Sequence, residues 1–133
     1  SLPLICVLHC GLDFAFPPDD ERAHPEKVLE IHRTFPDMPL IAAHMGGWKR
    51  WEAVLEHLAG EDIYLETSFT LGYAQPDVLE AILQKHSSQR LLFGSDSPWQ
   101  DQSKTLQDVC KLLDDDQTRR QVLVENAENL LGI

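Results

Sequence analysis

Four short apolar runs punctuate this chain, at Leu4-Ile-Cys-Val-Leu8, Leu40-Ile-Ala-Ala43, Ile63-Tyr-Leu65 and Leu91-Leu-Phe93. None alternates with polar residues, as expected of strands buried on both faces of a parallel sheet. With their flanks they predict strands over Pro3–His9, Pro39–His44, Ile63–Thr67 and Arg90–Gly94. Between and after them, apolar residues recur every three or four positions, the period of a helix with one buried stripe. Val28, Leu29, Ile31 and Phe35 mark a helix over Pro25–Thr34, where Pro25 suits the first turn and Glu26 the positive end of the helix dipole. Trp51, Val54, Leu55 and Leu58 mark a second over Trp48–Ala59, ended by Gly60, with Trp51 read as core. Val78, Leu79, Ile82 and Leu83 mark a third after Pro76, and two more follow near Lys104–Leu113 and Gln117–Leu130. Strand–helix units of ~20 to 35 residues are what right-handed crossovers in a parallel sheet require. The fold class is α/β, in a single domain over residues 1–133.

What the strands end on is the chemical signal. The first ends on His9 before Cys10-Gly11, the second on His44 before Met45-Gly46-Gly47, and the fourth opens through Gly94 and Ser95 into Asp96 before Pro98. Carboxyl ends of parallel strands are where α/β folds and barrels place active sites. Alone, Asp96 reads as a turn or cap residue, and a lone strand-end histidine as a hydrogen-bonded structural group. Two histidines and an aspartate at equivalent places favour chemistry, because imidazole nitrogen and carboxylate oxygen are the usual protein ligands of catalytic zinc.

Composition narrows the partners. Twenty-two acidic against 11 basic residues give a formal net charge of −11, a field that repels phosphate backbones and anionic membrane surfaces. Nucleic acid and membrane are therefore excluded as partners, and no apolar run is long enough to span a bilayer. Asp114-Asp115-Asp116 reads as a solvated linker between helices. Cys6, Cys10 and Cys110 form no paired framework, which fits a reduced, cytoplasmic protein. Cys6 reads as a small hydrophobe, and Cys10, beside His9, as a minor candidate for a thiolate nucleophile.

These motifs resemble the carboxyl-terminal half of an amidohydrolase-superfamily TIM (β/α)8 barrel. The likeness is strongest to the amidohydrolase-related metal-dependent hydrolases, the branch that includes aminocarboxymuconate semialdehyde decarboxylase-like enzymes. It rests on His9-Cys-Gly-Leu-Asp13, Ala43-His-Met-Gly-Gly47, Ile63-Tyr-Leu-Glu-Thr-Ser68, Leu92-Phe-Gly-Ser-Asp-Ser-Pro98 and the closing Glu125-Asn-Ala-Glu-Asn-Leu-Leu-Gly132. The resemblance implies that only the last four β/α units of the barrel are present. It makes His9 a metal ligand and Asp96 the aspartate that binds or faces the metal and shuttles the proton of the attacking water. His44 becomes either a second-metal ligand or a group that orients water or stabilises an oxyanion. A divalent metal is implied, zinc by default and manganese or iron as alternatives.

The chain departs from the family in lacking the first-strand His-x-His pair and a strand-four lysine or glutamate ligand. It also begins at Ser1, just before a strand, without an initiator methionine. A complete barrel needs ~200 residues or more, so the chain reads as a fragment, a trimmed domain or the second half of a split barrel. Its two open sheet edges call for an amino-terminal half-barrel or a second copy. Around the site, Trp48, Tyr73 and Trp99 are candidates for an aromatic substrate wall, and Ser68, with Thr67, for a substrate contact or a helix cap. His24 is a candidate for the mouth of the site, and Lys49 and Arg50 for a substrate carboxylate or a solvated helix start. His32, His57 and His86 fall on helix surfaces or ends.

The expected function is hydrolysis of an amide, ester or lactone carbonyl of a small molecule by metal-activated water. The alternatives are non-oxidative decarboxylation on the same residues, which needs a substrate carboxylate near the metal, and a non-catalytic half-barrel that works only with a partner. A TatD-like nuclease shares the Asp-Ser-Pro ending, but the acidic charge and His-Met-Gly-Gly argue against it.

Overall fold

The computed structural model describes residues 4–133. Pro3, the expected start of the first strand, lies outside the described residues, as does Leu2. Four strands, β1 (Cys6–Leu8), β2 (Leu40–Ala42), β3 (Tyr64–Glu66) and β4 (Leu91–Leu92), form one sheet in the order β1-β2-β3-β4. Every neighbouring pair is parallel, with Val7 opposite Ile41, Ile41 opposite Tyr64 and Leu65 opposite Leu91. Each is an inner part of the predicted strand, shorter at both ends.

The helices are α1 (Pro25–Thr34), α2 (Trp51–His57), α3 (Pro76–Lys85), α4 (Gln102–Leu112), α5 (Asp116–Arg120) and α6 (Asn126–Leu131). Local sequence starts several of them: Asp101 caps α4 by accepting from the Lys104 amide at 2.9 Å, and Asp115 caps α5 by accepting from Thr118 at 2.7 Å. Part of the supposed linker Asp114–Asp116 is thus a helix start, with Asp116 paired to Arg119 at 2.6 Å. α2 begins three residues later than predicted. Trp48 is used instead as an extended residue, donating its amide to Cys10 O at 2.8 Å and accepting from the Leu12 amide at 3.1 Å. Gly11 makes that pairing possible, since at φ +91 a Cβ there would run into the Trp48 backbone.

The predicted last helix is broken by one π-helical turn, Gln121–Glu125, between α5 and α6. That turn leaves the Val122 carbonyl free to accept from Phe93 N–H at 3.1 Å, beside the end of β4. One turn on, the Asn126 amide donates to Ser88 O at 2.7 Å and Leu91 O at 2.8 Å.

One core lies between the sheet and its helices. Leu40, Ala42, Leu65 and Leu91 from the strands meet Val28, Val54, Ile82 and Val109 from the helices. The alternate strand residues point away from it. Val7, Ile41 and Tyr64, one row of the sheet by register, stand outside that core, and Val7 is 64 % exposed. A sheet with helices on one face and an apolar row on the other is the wall of a barrel seen from inside.

Candidate active site

Parallel strands bring their carboxyl ends to one rim, and there the chain places His9 after β1, His44 after β2, Glu66 at the end of β3 and Asp96 beyond β4. Two of these residues have left-handed backbones, His44 at φ 59 and Asp96 at φ 53, as does Phe69 at φ 50. Non-glycine residues hold such conformations at a cost of order 1–3 kcal/mol each, and they cluster where side chains must be aimed. For His44 the aim is fixed from below, because Trp51 Nε1 donates to its carbonyl at 3.1 Å. Trp51 is therefore core, as its place on the stripe suggests, and a brace as well.

His9, His44, Asp96 and Trp48 line one cleft of about 170 Å³, whose remaining wall includes Phe14 and Phe69. His9 Nδ1 and His44 Nε2 are 3.0 Å apart, and the rings meet edge to face with centroids at 4.8 Å. His9 is held on its other side by Leu12 O, 2.9 Å from Nε2. His44 Nδ1 lies 2.9 Å from Ser68 Oγ, and Ser68 Oγ donates to Glu66 Oε2 at 2.7 Å. Glu66 Oε1 accepts from the Ser68 amide at 2.6 Å. A continuous row thus runs from the Leu12 carbonyl through both imidazoles and the serine to a carboxylate.

Burial holds the His44 imidazole below the ordinary histidine range. The neighbouring His9 pushes the same way, and Asp96 pushes against it. Burial raises the Glu66 carboxyl, while its bonds from Ser68 and the His44 amide lower it and the charge of Asp96 raises it again. Glu66 is the residue that sequence reasoning missed. It ends its strand as His9 and His44 end theirs, but the Thr-Ser hydroxyls that follow drew the attention instead.

The other candidates fall in three places. Trp48 lines the cleft, packed edge to face against Phe14 at 4.9 Å, with Lys49 Nζ 4.5 Å from its ring centroid. Ser68 stands behind His44 at 1 % exposure, away from the cleft wall, and Thr67 binds the Gly94 backbone through its hydroxyl. Tyr73 and Trp99 line a separate, more polar hollow of about 470 Å³ with Lys104; the Phe69 ring of the cleft lies 5.7 Å from Tyr73.

His24 does not reach the mouth of the site. It caps α1, its Nδ1 accepting from the Glu26 amide at 3.3 Å, and its ring faces His57. Arg50 is engaged by Glu21 at 3.0 Å, tying the loop after β1 to the start of α2. Cys10 is fully buried and its thiol is pushed up to about 12 by that burial, so it is no nucleophile at neutral pH.

The sequence profile of the Amidohydrolase family (Amidohydro_2) matches residues 2–133. The chain belongs to the amidohydrolase family. None of the curated proteins is similar enough in sequence to match it. Among solved structures, an uncharacterized TIM-barrel protein of Bordetella bronchiseptica, Bb4693, superposes with a TM-score of 0.67 at 21 % identity, over 95 % of this chain and 44 % of that one. An amidohydrolase of Burkholderia multivorans with bound zinc gives 0.66 at 16 % identity, over 82 % and 49 %. The 2,6-dihydroxybenzoate decarboxylase of Rhizobium gives 0.63 at 15 % identity, over 98 % and 51 %. The chain spans about half the length of each. This amidohydrolase chain is thus a parallel α/β unit corresponding to part of a TIM barrel. No described helix is long and apolar enough to cross a membrane.

The donors of the cleft suit a divalent ion in kind: two imidazoles, one of them held neutral by burial, and a carboxylate. Among the described residues no three His, Cys, Asp or Glu side chains stand grouped as ligands. At the rim, His9 and His44 turn their facing nitrogens on each other.

Proposed function

We propose that this chain supplies the carboxyl-terminal part of a metal-dependent hydrolase centre that acts on an amide, ester or lactone carbonyl of a small molecule. The observation that carries the reading is the pair of facing imidazoles, His9 and His44, in a cleft shared with the strand-end Asp96. His9, His44 and Asp96 would hold the ion, with zinc the first choice given the zinc in the Burkholderia multivorans structure. When bound, such an ion supplies a water nucleophilic at neutral pH and polarises the carbonyl.

The chain's own residues do the rest. Asp96, exposed beside the cleft, takes the proton of the attacking water and returns it to the leaving group. Phe14, Trp48 and Phe69 form an apolar wall against which a flat substrate lies and water is thinned out. The open edges at β1 and β4 and the apolar row of Val7 are covered by the amino-terminal half of the barrel, or by a second copy of this chain.

A second reading, non-oxidative decarboxylation, is favoured by that aromatic wall together with the likeness to the Rhizobium decarboxylase. The test is elemental analysis and light scattering of the purified chain, followed by assay of lactone and dihydroxybenzoate panels with zinc or manganese added. About one metal per chain or per dimer, lost in His9→Ala, supports the centre. Hydrolysis without release of carbon dioxide selects the first reading. Metal-free protein that takes up neither ion leaves a non-catalytic half-barrel.

A further inference from the structure

Asp96 has the fewest supports of the residues at the rim. It is exposed, and its carboxylate accepts no hydrogen bond from any described residue, so where it points is decided by its backbone. That backbone is left-handed, at φ 53, and is closed into a turn by the Trp99 amide, which donates to Asp96 O at 2.9 Å. Two ties to the loop after β3 hold the turn in place. At its start, the Thr67 hydroxyl donates to Gly94 O and accepts from Gly94 N–H, both at 3.1 Å. At its end, Gln100 Oε1 accepts from the Phe69 amide at 2.7 Å.

The second tie joins two parts of the cleft. Phe69 is itself left-handed at φ 50, and its ring belongs to the cleft wall, edge to face with His44 at a centroid distance of 5.7 Å. Such backbones persist only where the surrounding bonds over-determine them. Gln100 is half-buried and directly precedes Asp101, the cap of α4, so its own backbone is anchored by an 11-residue helix that reaches the core at Val109. Its oxygen is the working atom, since its amide nitrogen meets no acceptor among the described residues.

We infer that Gln100 is a positioning residue: by closing the Asp96 loop onto the Phe69 amide, it sets the Asp96 carboxylate against the wall on which substrate lies. This rests on the cleft being the functional centre. The placement matters because a shift of about 1 Å between reacting groups costs on the order of 100-fold in rate.

The test starts with hydrogen exchange of the backbone amides in the ¹⁵N-labelled, metal-free chain. The Phe69 amide should exchange slowly. Gln100→Met, which keeps the length of the side chain and loses its oxygen, should speed that exchange about 10-fold or more and shift the amide signals of Phe69 and Asp96, while Leu65 and Leu91 in the strands keep theirs. Gln100→Glu, which retains an acceptor oxygen, should restore both. Calorimetric titration with zinc chloride should show affinity about 10-fold lower in Gln100→Met and regained in Gln100→Glu. A Phe69 amide that exchanges freely in the unaltered chain, or that Gln100→Met leaves as protected as before, overturns the inference. So does zinc bound equally well by all three forms. An effect of Gln100→Met that spreads to the strands, or that Gln100→Glu does not reverse, marks a general packing role and overturns it too. If exchange and rescue come out as expected but no form binds zinc, the metal-centre reading fails while the placement by Gln100 stands.

Discussion

His9 Nδ1 and His44 Nε2 sit 3.0 Å apart, each ring anchored on its far side, His9 by the Leu12 carbonyl and His44 by Ser68. One hydrogen fills such a gap; a metal ion needs both nitrogens to turn their lone pairs toward it and away from each other. His9 is exposed, so His9→Ala should leave the unfolding midpoint nearly unchanged while abolishing metal uptake. Asp96→Asn keeps the shape of the side chain but removes the proton acceptor, and turnover should fall by about 10²–10⁴-fold. Metal analysis and steady-state kinetics on the two variants check both expectations; full metal occupancy and full activity in each would sink the assignment.

Gly94 and Glu66 are in van der Waals contact with no room between them. Gly94→Ala should therefore push the Glu66 carboxylate out of its bonds to Ser68, at a cost of about 1–3 kcal/mol, the usual range for overpacking. Urea denaturation measures the loss. A variant as stable as the parent would mean that the glutamate relaxes freely.

A third histidine matters to stability and not to the cleft. His86, after the end of α3, is 4 % exposed; its Nδ1 accepts from the Gly60 amide at 3.1 Å, with Nε2 3.3 Å from Arg90 O. Burial lowers its pKa below the ordinary histidine value, with the charge of Arg90 acting the same way and Asp62 against it. The folded state thus takes up the proton later than the unfolded state as pH falls. His86 accordingly stabilises the fold above about pH 6.5, and that contribution shrinks as pH drops from there through the lowered folded value. Chemical denaturation over this range should show stability falling toward acid, with a shallower fall in His86→Gln. At neutral pH, His86→Ala should cost about 1–3 kcal/mol through the unsatisfied Gly60 amide.

Thiol chemistry offers a simple check of the packing at β1. Cys10 is fully buried with a thiol pushed up to about 12, whereas Cys6 and Cys110 are half-buried. Under native conditions a thiol-reactive disulfide should modify Cys6 and Cys110 first, and Cys10 only after unfolding. Mass spectrometry of the digested chain identifies the sites. Early labelling of Cys10 would mean that the strand and the Trp48 turn come apart together.

Much of this was legible in the chain. α1 and α3 lie where Pro25 and Pro76 and their apolar stripes place them, because proline at a first turn and a helical stripe are local signals. The rim with His9, His44 and Asp96 followed from parallel strands alone. What the sequence hid is what only tertiary contact decides. Trp48 looks like a helix start, but its backbone pairs with Cys10 and Leu12 across the sheet rim. Ser68, Tyr73 and Trp99 all follow strands, yet only the turn geometry after β3, with Phe69 at φ 50, sends Ser68 inward and Tyr73 to another hollow. Glu66 reads as an ordinary polar strand end until its partners are known.

The π-helical turn at Gln121–Glu125 does more than present a carbonyl to Phe93. A helix with one surplus residue is set out of phase with itself, and here the slip lets Val122 and Asn126 both address the last strand. Removing one residue from that turn would bring the helix back into phase and draw one of the two contacts away from the strand. The fit of the closing helix to the rim that carries Asp96 is therefore a property of chain length, adjustable without altering any residue of the cleft.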